Sequence, residues 1–150
     1  MGLYYKSTRN SNLKVTASEA ILKGLAPDGG LFVPSELPKL DVSMSDLKGK
    51  TYQEIAYLVM KQFLTDFTEE ELKSCIDKAY DSKFDTEEIA PLVKVDDTYY
   101  MELFHGATIA FKDMALSILP HLLITSARKN HVKNCLLYTS DAADDSLRVD

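Results

Sequence analysis

A lysine stands within an otherwise apolar stretch of the chain, where Lys112 directly follows Phe111 and Met114 lies two residues further on. Burial disfavours the charged form of an amine, so a lysine in such a place is costly unless its chemistry is used. A neutral amine can form a Schiff base with an aldehyde of a cofactor or substrate. The alternative is a lysine at a helix end whose ammonium group reaches water, as most lysines do.

Two polar residues lie just ahead of this lysine in the sequence, His105 and Thr108. Taken alone, a histidine is more often structural than catalytic, and a threonine in a turn more often uses its hydroxyl locally. The predicted position of Lys112 near a helix N-terminus favours the neutral amine, because the positive end of the helix dipole destabilises an ammonium group. These residues leave both interpretations of Lys112 open.

The elements around Lys112 are predicted to be a β-hairpin and a helix. Residues 90–95 and residues 98–103 are each predicted to form a strand, and the turn Asp96–Asp97 joins them. After Lys112, apolar residues from Met114 to Ala127 predict one long helix that is apolar around much of its circumference and kinked at Pro120.

The residues before the hairpin predict a largely helical region. Capping boxes open three helices, at Thr16–Glu19, Thr51–Glu54 and Thr68–Glu71. Short strands are expected at 4–9 and 31–33, the second closed by Pro34. Residues 34–50 are expected to form a loop and residues 81–88 a solvated linker, while Cys75 reads as a small core residue.

Composition excludes several classes of function. The 150 residues are 45% hydrophobic with a net charge of −6, which is typical of a soluble globular protein and argues against nucleic-acid binding. Two cysteines, Cys75 and Cys135, form neither a disulfide framework nor a metal site. With no apolar run long enough for a membrane span and no signal-peptide core, we expect a cytoplasmic protein that binds no membrane and no metal.

Three strings of residues resemble the threonine synthase family, over about residues 4–133. They are Tyr5-Lys6-Ser7-Thr8-Arg9, then GLAPDGGLFVP at 24–34, and ELFHGATIAFKD at 102–113. The last is similar to the family motif ELFHGPTLAFKD, with Ala107 in place of the usual proline. Two long, ordered strings far apart in the sequence are very unlikely to agree by chance.

The resemblance implies a pyridoxal-phosphate enzyme of fold type II, the tryptophan synthase β-like class of α/β proteins. Its implied activity is that of a lyase of threonine biosynthesis, which converts O-phospho-L-homoserine and water to L-threonine and phosphate. Lys112 matches the family lysine that bears pyridoxal 5'-phosphate and then moves protons at Cα and Cβ of the substrate. His105, Thr108 and Asp113 are implied as possible substrate contacts or as residues that support Lys112.

The sequence departs from the family after residue 134. The family has a glycine-rich loop there, which binds the cofactor phosphate through backbone amides at a helix N-terminus. Residues 135–150 contain no glycine and four aspartates. The string CLLYTSDAAD back-translates to a sequence that looks like the adapter of transposase-based sequencing libraries, so we interpret 135–150 as a non-native tail. The alternative is a genuine acidic tail, and without these residues the net charge would be −3.

We therefore expect three regions: a helical N-terminal subdomain at 1–90, the start of the cofactor domain at 91–134, and the tail. A chain that lacks the phosphate-binding loop should be inactive alone and should expose apolar surface on the helix after Lys112. Two alternatives remain open, a noncatalytic module derived from threonine synthase and another fold type II lyase. The sequence leaves the oligomeric state undefined.

Overall fold

The structure is a computed structural model that describes residues 2–40 and 42–132. The described residues form four short strands and six helices. In chain order they are β1 (Tyr5–Ser7), α1 (Ala17–Lys23), β2 (Phe32–Pro34), α2 (Met44–Leu47), α3 (Tyr52–Phe63), α4 (Glu69–Ala79), β3 (Leu92–Val95), β4 (Thr98–Met101), α5 (Asp113–Leu116) and α6 (Leu119–Lys129).

All three predicted capping boxes are confirmed and open α1, α3 and α4. In α1, for example, the Thr16 backbone N–H donates to Glu19 at 2.7 Å while the Glu19 N–H donates to the Thr16 hydroxyl at 3.3 Å. A fourth box, Ser43 with Asp46, opens α2. The prediction that 34–50 is entirely loop is therefore wrong, because a four-residue helix is too short to show apolar periodicity.

The four strands form two separate antiparallel pairs. Strand β1 pairs with β2 so that Tyr5 lies opposite Pro34, and β3 pairs with β4 so that Val95 lies opposite Thr98. The predicted hairpin is thus confirmed, although β4 ends at Met101. Strand β1 is shorter than the expected 4–9, whereas β2 has the expected three residues but is shifted by one, so that Pro34 lies within it rather than beyond it. A two-stranded pair has only edge strands, where a missing backbone N–H is tolerated.

One hydrophobic core joins the N-terminal helices to α6, which packs against both α1 and α4. As expected, Cys75 is buried in this core. Its ten buried members come from α4 and the residues on either side of it, and from the start of α6 with the residue before it: Phe67, Leu72, Cys75, Ile76, Ala79, Tyr80, Phe84, Ile89, Ile118 and Leu122. Residues on both sides of position 90 therefore stabilise the same core.

The single kinked helix expected after Lys112 is not formed. The chain makes two helices, α5 and α6, separated at Ser117 and Ile118, and Pro120 lies in the first turn of α6. Proline lacks an N–H and has a fixed φ, so it suits a first turn, where that donor has no partner within the helix. Pro120 thus begins a helix instead of bending one.

Many of the exposed apolar residues lie on the hairpin and on the loop that follows, and the surface expected after Lys112 is present only in part, at Leu116 of α5 and Ile124 of α6 among the described residues. All eight residues of β3 and β4 are exposed, whereas α6 buries Leu122, Leu123 and Ala127 against its neighbours. Within the described residues, no helix has the length and apolar character that crossing a bilayer requires.

Candidate functional site

The loop from Glu102 to Lys112 connects the hairpin to α5. Lys112 adopts helical backbone angles, φ −63° and ψ −23°, at the position just before α5. Its carbonyl accepts hydrogen bonds from the N–H groups of Ala115 and Leu116, at 3.0 and 2.8 Å. The predicted placement of the lysine at a helix start is therefore confirmed.

The burial of this segment differs from the prediction. Lys112 is half-buried and Phe111 is 63% exposed, so the apolar residues beside the lysine do not enclose it. The buried member of the segment is instead Asp113, which is 5% exposed. Apolar residue types alone led to the wrong expectation, because a loop on the surface can carry aromatic side chains outward.

Asp113 closes the loop by binding Thr108. One carboxylate oxygen accepts the Thr108 backbone N–H at 2.7 Å, and the other accepts the Thr108 hydroxyl at 2.6 Å. Two such bonds satisfy a buried carboxylate that would otherwise be costly. The structure thus brings two of the predicted site residues together, directly beside Lys112.

Gly106 makes this closure possible. A Cβ atom at Gly106 would lie 2.4 Å from the Cβ of Asp113, closer than any real contact between carbon atoms. At the outer end of the loop, Ile109 has a φ of 61°, a left-handed conformation that is unusual for a β-branched residue, and its N–H donates to the Gly106 carbonyl at 3.1 Å. The loop is therefore held in one tight backbone path.

His105 contacts two carboxylates. Its Nδ1 lies 2.5 Å from Asp85 Oδ1 and its Nε2 lies 2.9 Å from Glu102 Oε2. The hydrogen bonds with Glu102 and then Asp85 raise the pKa of His105 above its ordinary value. Asp85 belongs to the segment expected to be a solvated linker, and its backbone N–H also donates to the His105 carbonyl at 3.1 Å. That segment is therefore partly structural.

Three residues of this site were missed by reasoning from the sequence: Asp85, Glu102 and Gly106. Glu102 had a usable signal, since it precedes His105 by three positions. Asp85 had none, because it lies 20 positions from the histidine that it binds.

The two N-terminal strings of the resemblance also meet in space. The Ser7 hydroxyl donates to Asp28 at 2.7 Å, and the same Asp28 oxygen accepts the Gly30 backbone N–H at 2.9 Å. A Cβ at Gly30 would lie 2.1 Å from the Ser7 oxygen, so only glycine fits. These contacts hold β1 against the turn that precedes β2 and give the string at 24–34 a structural role of its own.

The fold and the lysine loop together define a mixed α/β unit of the kind found at the N-terminal end of fold type II pyridoxal-phosphate enzymes. Residues 4–80 match the sequence profile of the family described as threonine synthase N terminus. The chain belongs to this family.

Two threonine synthases that are similar in sequence support membership of the same family. Threonine synthase of Methylobacillus glycogenes is 35% identical over 147 residues, covering 91% of this chain and 31% of the relative. Threonine synthase of Schizosaccharomyces pombe is 43% identical over 122 residues, covering 79% of this chain and 24% of the relative. This chain therefore spans less than a third of the length of these relatives.

A solved structure shows the same fold. The crystal structure of pyridoxal-phosphate-bound threonine synthase from Brucella melitensis superimposes with a TM-score of 0.78 at 32% sequence identity. The match covers 87% of this chain and 28% of that one. The similarity thus places this chain at the N-terminal part of a longer architecture.

Proposed function

We propose that this chain is the lysine-bearing N-terminal part of a threonine synthase, whose complete form converts O-phospho-L-homoserine and water to L-threonine and phosphate. The observation that carries the proposal is the placement of Lys112 at the start of α5, at the end of a loop closed by Thr108 and Asp113. The relatives and the solved structure support it through their similarity over most of the chain.

The residues present fit one half of a pyridoxal-phosphate site. Lys112 offers a half-buried amine at a fixed backbone position, which suits covalent attachment to an aldehyde. When bound, the cofactor supplies an electron sink for carbanion chemistry. The phosphate half is different, because the last glycine of the sequence is Gly106 and no glycine-rich loop follows Lys112.

In this proposal Lys112 has two roles. Its amine would hold the cofactor in place, and the same amine would move protons at Cα and Cβ of the substrate. Phosphate leaves from Cγ and water adds at Cβ. Thr108 and Asp113 support the lysine by fixing its loop, since their polar groups bind each other.

The regional division predicted above is part of the proposal. Residues 91–134 would begin the cofactor domain and residues 1–90 would form the N-terminal subdomain, although α6 contributes to the same core as α4. The predicted non-native tail at 135–150 lies outside the described residues.

Lysine attachment is the direct test. The full chain is incubated with pyridoxal phosphate at low concentration, reduced with borohydride and mapped by mass spectrometry, alongside Lys112→Ala and the hairpin control Lys94→Ala. We expect label at Lys112 that is lost only in Lys112→Ala. Equal labelling of several lysines, unchanged in Lys112→Ala, would contradict the proposal.

Turnover is tested separately. The same chain is mixed with pyridoxal phosphate and O-phosphohomoserine, and released phosphate is measured. We expect little or no release, because no glycine-rich loop follows Lys112 in these 150 residues. Robust release that disappears in Lys112→Ala would show that the chain is a complete catalyst and that our view of the missing loop is wrong.

A further inference from the structure

Both ring nitrogens of His105 face a carboxylate oxygen, Asp85 Oδ1 at 2.5 Å and Glu102 Oε2 at 2.9 Å. A neutral imidazole carries one N–H and one lone pair, so it can donate to only one of these oxygens. The lone pair of its other nitrogen would then face a carboxylate oxygen, and two acceptors repel each other. With both carboxylates ionised, only the imidazolium form, with a proton on each nitrogen, satisfies both contacts.

The two carboxylates belong to different parts of the chain. Glu102 follows β4, whereas Asp85 lies in the segment between α4 and β3 and also donates its backbone N–H to the His105 carbonyl at 3.1 Å. His105 therefore joins the start of the lysine loop to a segment that is anchored in the core by Phe84. The far end of the same loop is closed separately by Thr108 and Asp113.

We infer that His105 is an imidazolium clamp at neutral pH, which positions the loop that presents Lys112 and takes no part itself in proton transfer to or from the substrate. The inference deepens the proposed function and rests on it, because the position of this loop matters to the reaction only if Lys112 bears the cofactor. A charged histidine that already donates from both nitrogens has no lone pair with which to act as a base.

Three carboxylates interact with the His105 imidazole. They are Asp85 and Glu102 in direct contact, with Glu88 close by. The hydrogen bond with Thr86 and, to a smaller extent, the charge of His105 lower the pKa of Glu88. The His105 side chain is 15% exposed, against 29% for Glu102 and 74% for Asp85. Water therefore reaches the clamp mainly from the Asp85 side.

The protonation state is tested on the full chain without cofactor by ¹⁵N NMR of the histidine side chains. We expect both nitrogens of His105 to show protonated shifts at pH 7, and each of Asp85→Asn and Glu102→Gln to move the His105 titration to lower pH. The side-chain signals of His121 and His131 in the same spectra serve as internal controls. A neutral His105 tautomer at pH 7, or a titration unchanged in both variants, would overturn the inference.

Positioning of the loop is tested by amide hydrogen exchange of Thr108, Ile109 and Asp113. In His105→Gln we expect their exchange to quicken by about tenfold or more, because two charge-assisted hydrogen bonds are lost. His105→Arg, which keeps a charge and several donors, should restore most of the protection. Amides of α4 should keep their protection in both variants, as they should in the matched control His121→Gln.

The outcomes separate the clamp from the proposed function. If His105→Gln leaves the exchange of the loop unchanged while α4 stays protected, the clamp does not position the loop and the inference fails. If the clamp is found but pyridoxal phosphate does not label Lys112, the inference about the histidine stands and the proposed function fails. Neither NMR measurement depends on cofactor binding or turnover.

Discussion

Asp113 accepts both the backbone N–H and the hydroxyl of Thr108, at 2.7 and 2.6 Å, and so closes a loop of five residues immediately before α5. Because Asp113 follows Lys112 directly, the same carboxylate that closes the loop also fixes the backbone that carries the lysine. The contribution of these contacts to stability can be measured by substituting one residue of the loop at a time.

The Thr108 hydroxyl can be removed without changing the shape of the side chain. Thr108→Val deletes one of the two bonds to a buried carboxylate, and we expect a loss of about 1–2 kcal/mol in the free energy of unfolding. Urea unfolding followed by circular dichroism provides the measurement. Thr98→Val, at an exposed position of β4, is the matched control and should lie within about 0.5 kcal/mol of the parent. Equal effects of the two substitutions would show that the bond contributes nothing.

Gly106 should tolerate no side chain. In Gly106→Ala the new methyl group meets the Asp113 Cβ at 2.4 Å, so the loop must shift, and we expect a cost of about 1–3 kcal/mol in the same unfolding experiment. Ala107→Ser, one residue along on an exposed side chain, is the control for disturbance of the loop itself. A Gly106→Ala variant as stable as Ala107→Ser would mean that the loop path is not fixed by Asp113.

The clamp at His105 predicts how stability changes with pH. Its pKa in the folded chain is raised above the ordinary value by Glu102 and Asp85. A group with a raised folded pKa contributes its full stabilisation below the unfolded pKa, about 6.5, and loses it as pH rises through the folded pKa. We expect the stability difference between the parent and His105→Gln to shrink as pH increases from about 6 upward. A difference that stays constant or grows over this range would contradict the assignment.

Ser7 should be important for the N-terminal fold although it is far from Lys112 in sequence. Its buried hydroxyl donates to Asp28 and accepts the Arg9 backbone N–H at 3.1 Å, so Ser7→Ala leaves both partners without it. We expect a loss of about 1–3 kcal/mol in unfolding free energy. Ser11→Ala, on an exposed turn, is the control. If the two variants are equally stable, the contact between the two N-terminal strings is not a source of stability.

The exposed hairpin predicts self-association of the isolated chain. Tyr99 is 64% exposed on β4, beside other exposed apolar residues. Both strands of this two-stranded sheet are edge strands, which can pair with another chain. We expect Tyr99→Lys to lower the fraction of associated chain in sedimentation velocity at high protein concentration. Met44→Lys, which changes an exposed apolar residue on α2, should have little effect. If Tyr99→Lys and Met44→Lys change the associated fraction equally, the chains do not associate through the hairpin.

The sequence by itself determined the local elements of this protein. The capping boxes at Thr16, Thr51 and Thr68 opened helices where they were expected, because each box satisfies helix-end donors with residues only three positions apart. The hairpin was equally local, since its two strands are joined by a two-residue turn. The ordered strings around Pro27 and Lys112 were sufficient to indicate the family, because they are long and specific.

Only the tertiary structure decided what lies next to what. Whether Phe111 is buried, and whether Pro120 bends a helix or begins one, depended on packing that residue types do not encode. One of the two partners of His105 was hidden for the same reason, since Asp85 is 20 residues away and reaches the imidazole only through the folded chain. Long-range contacts depend on the path of the whole backbone, so Lys112 and the Thr108 and Asp113 pair could be found from their neighbours in sequence, whereas Asp85 could not.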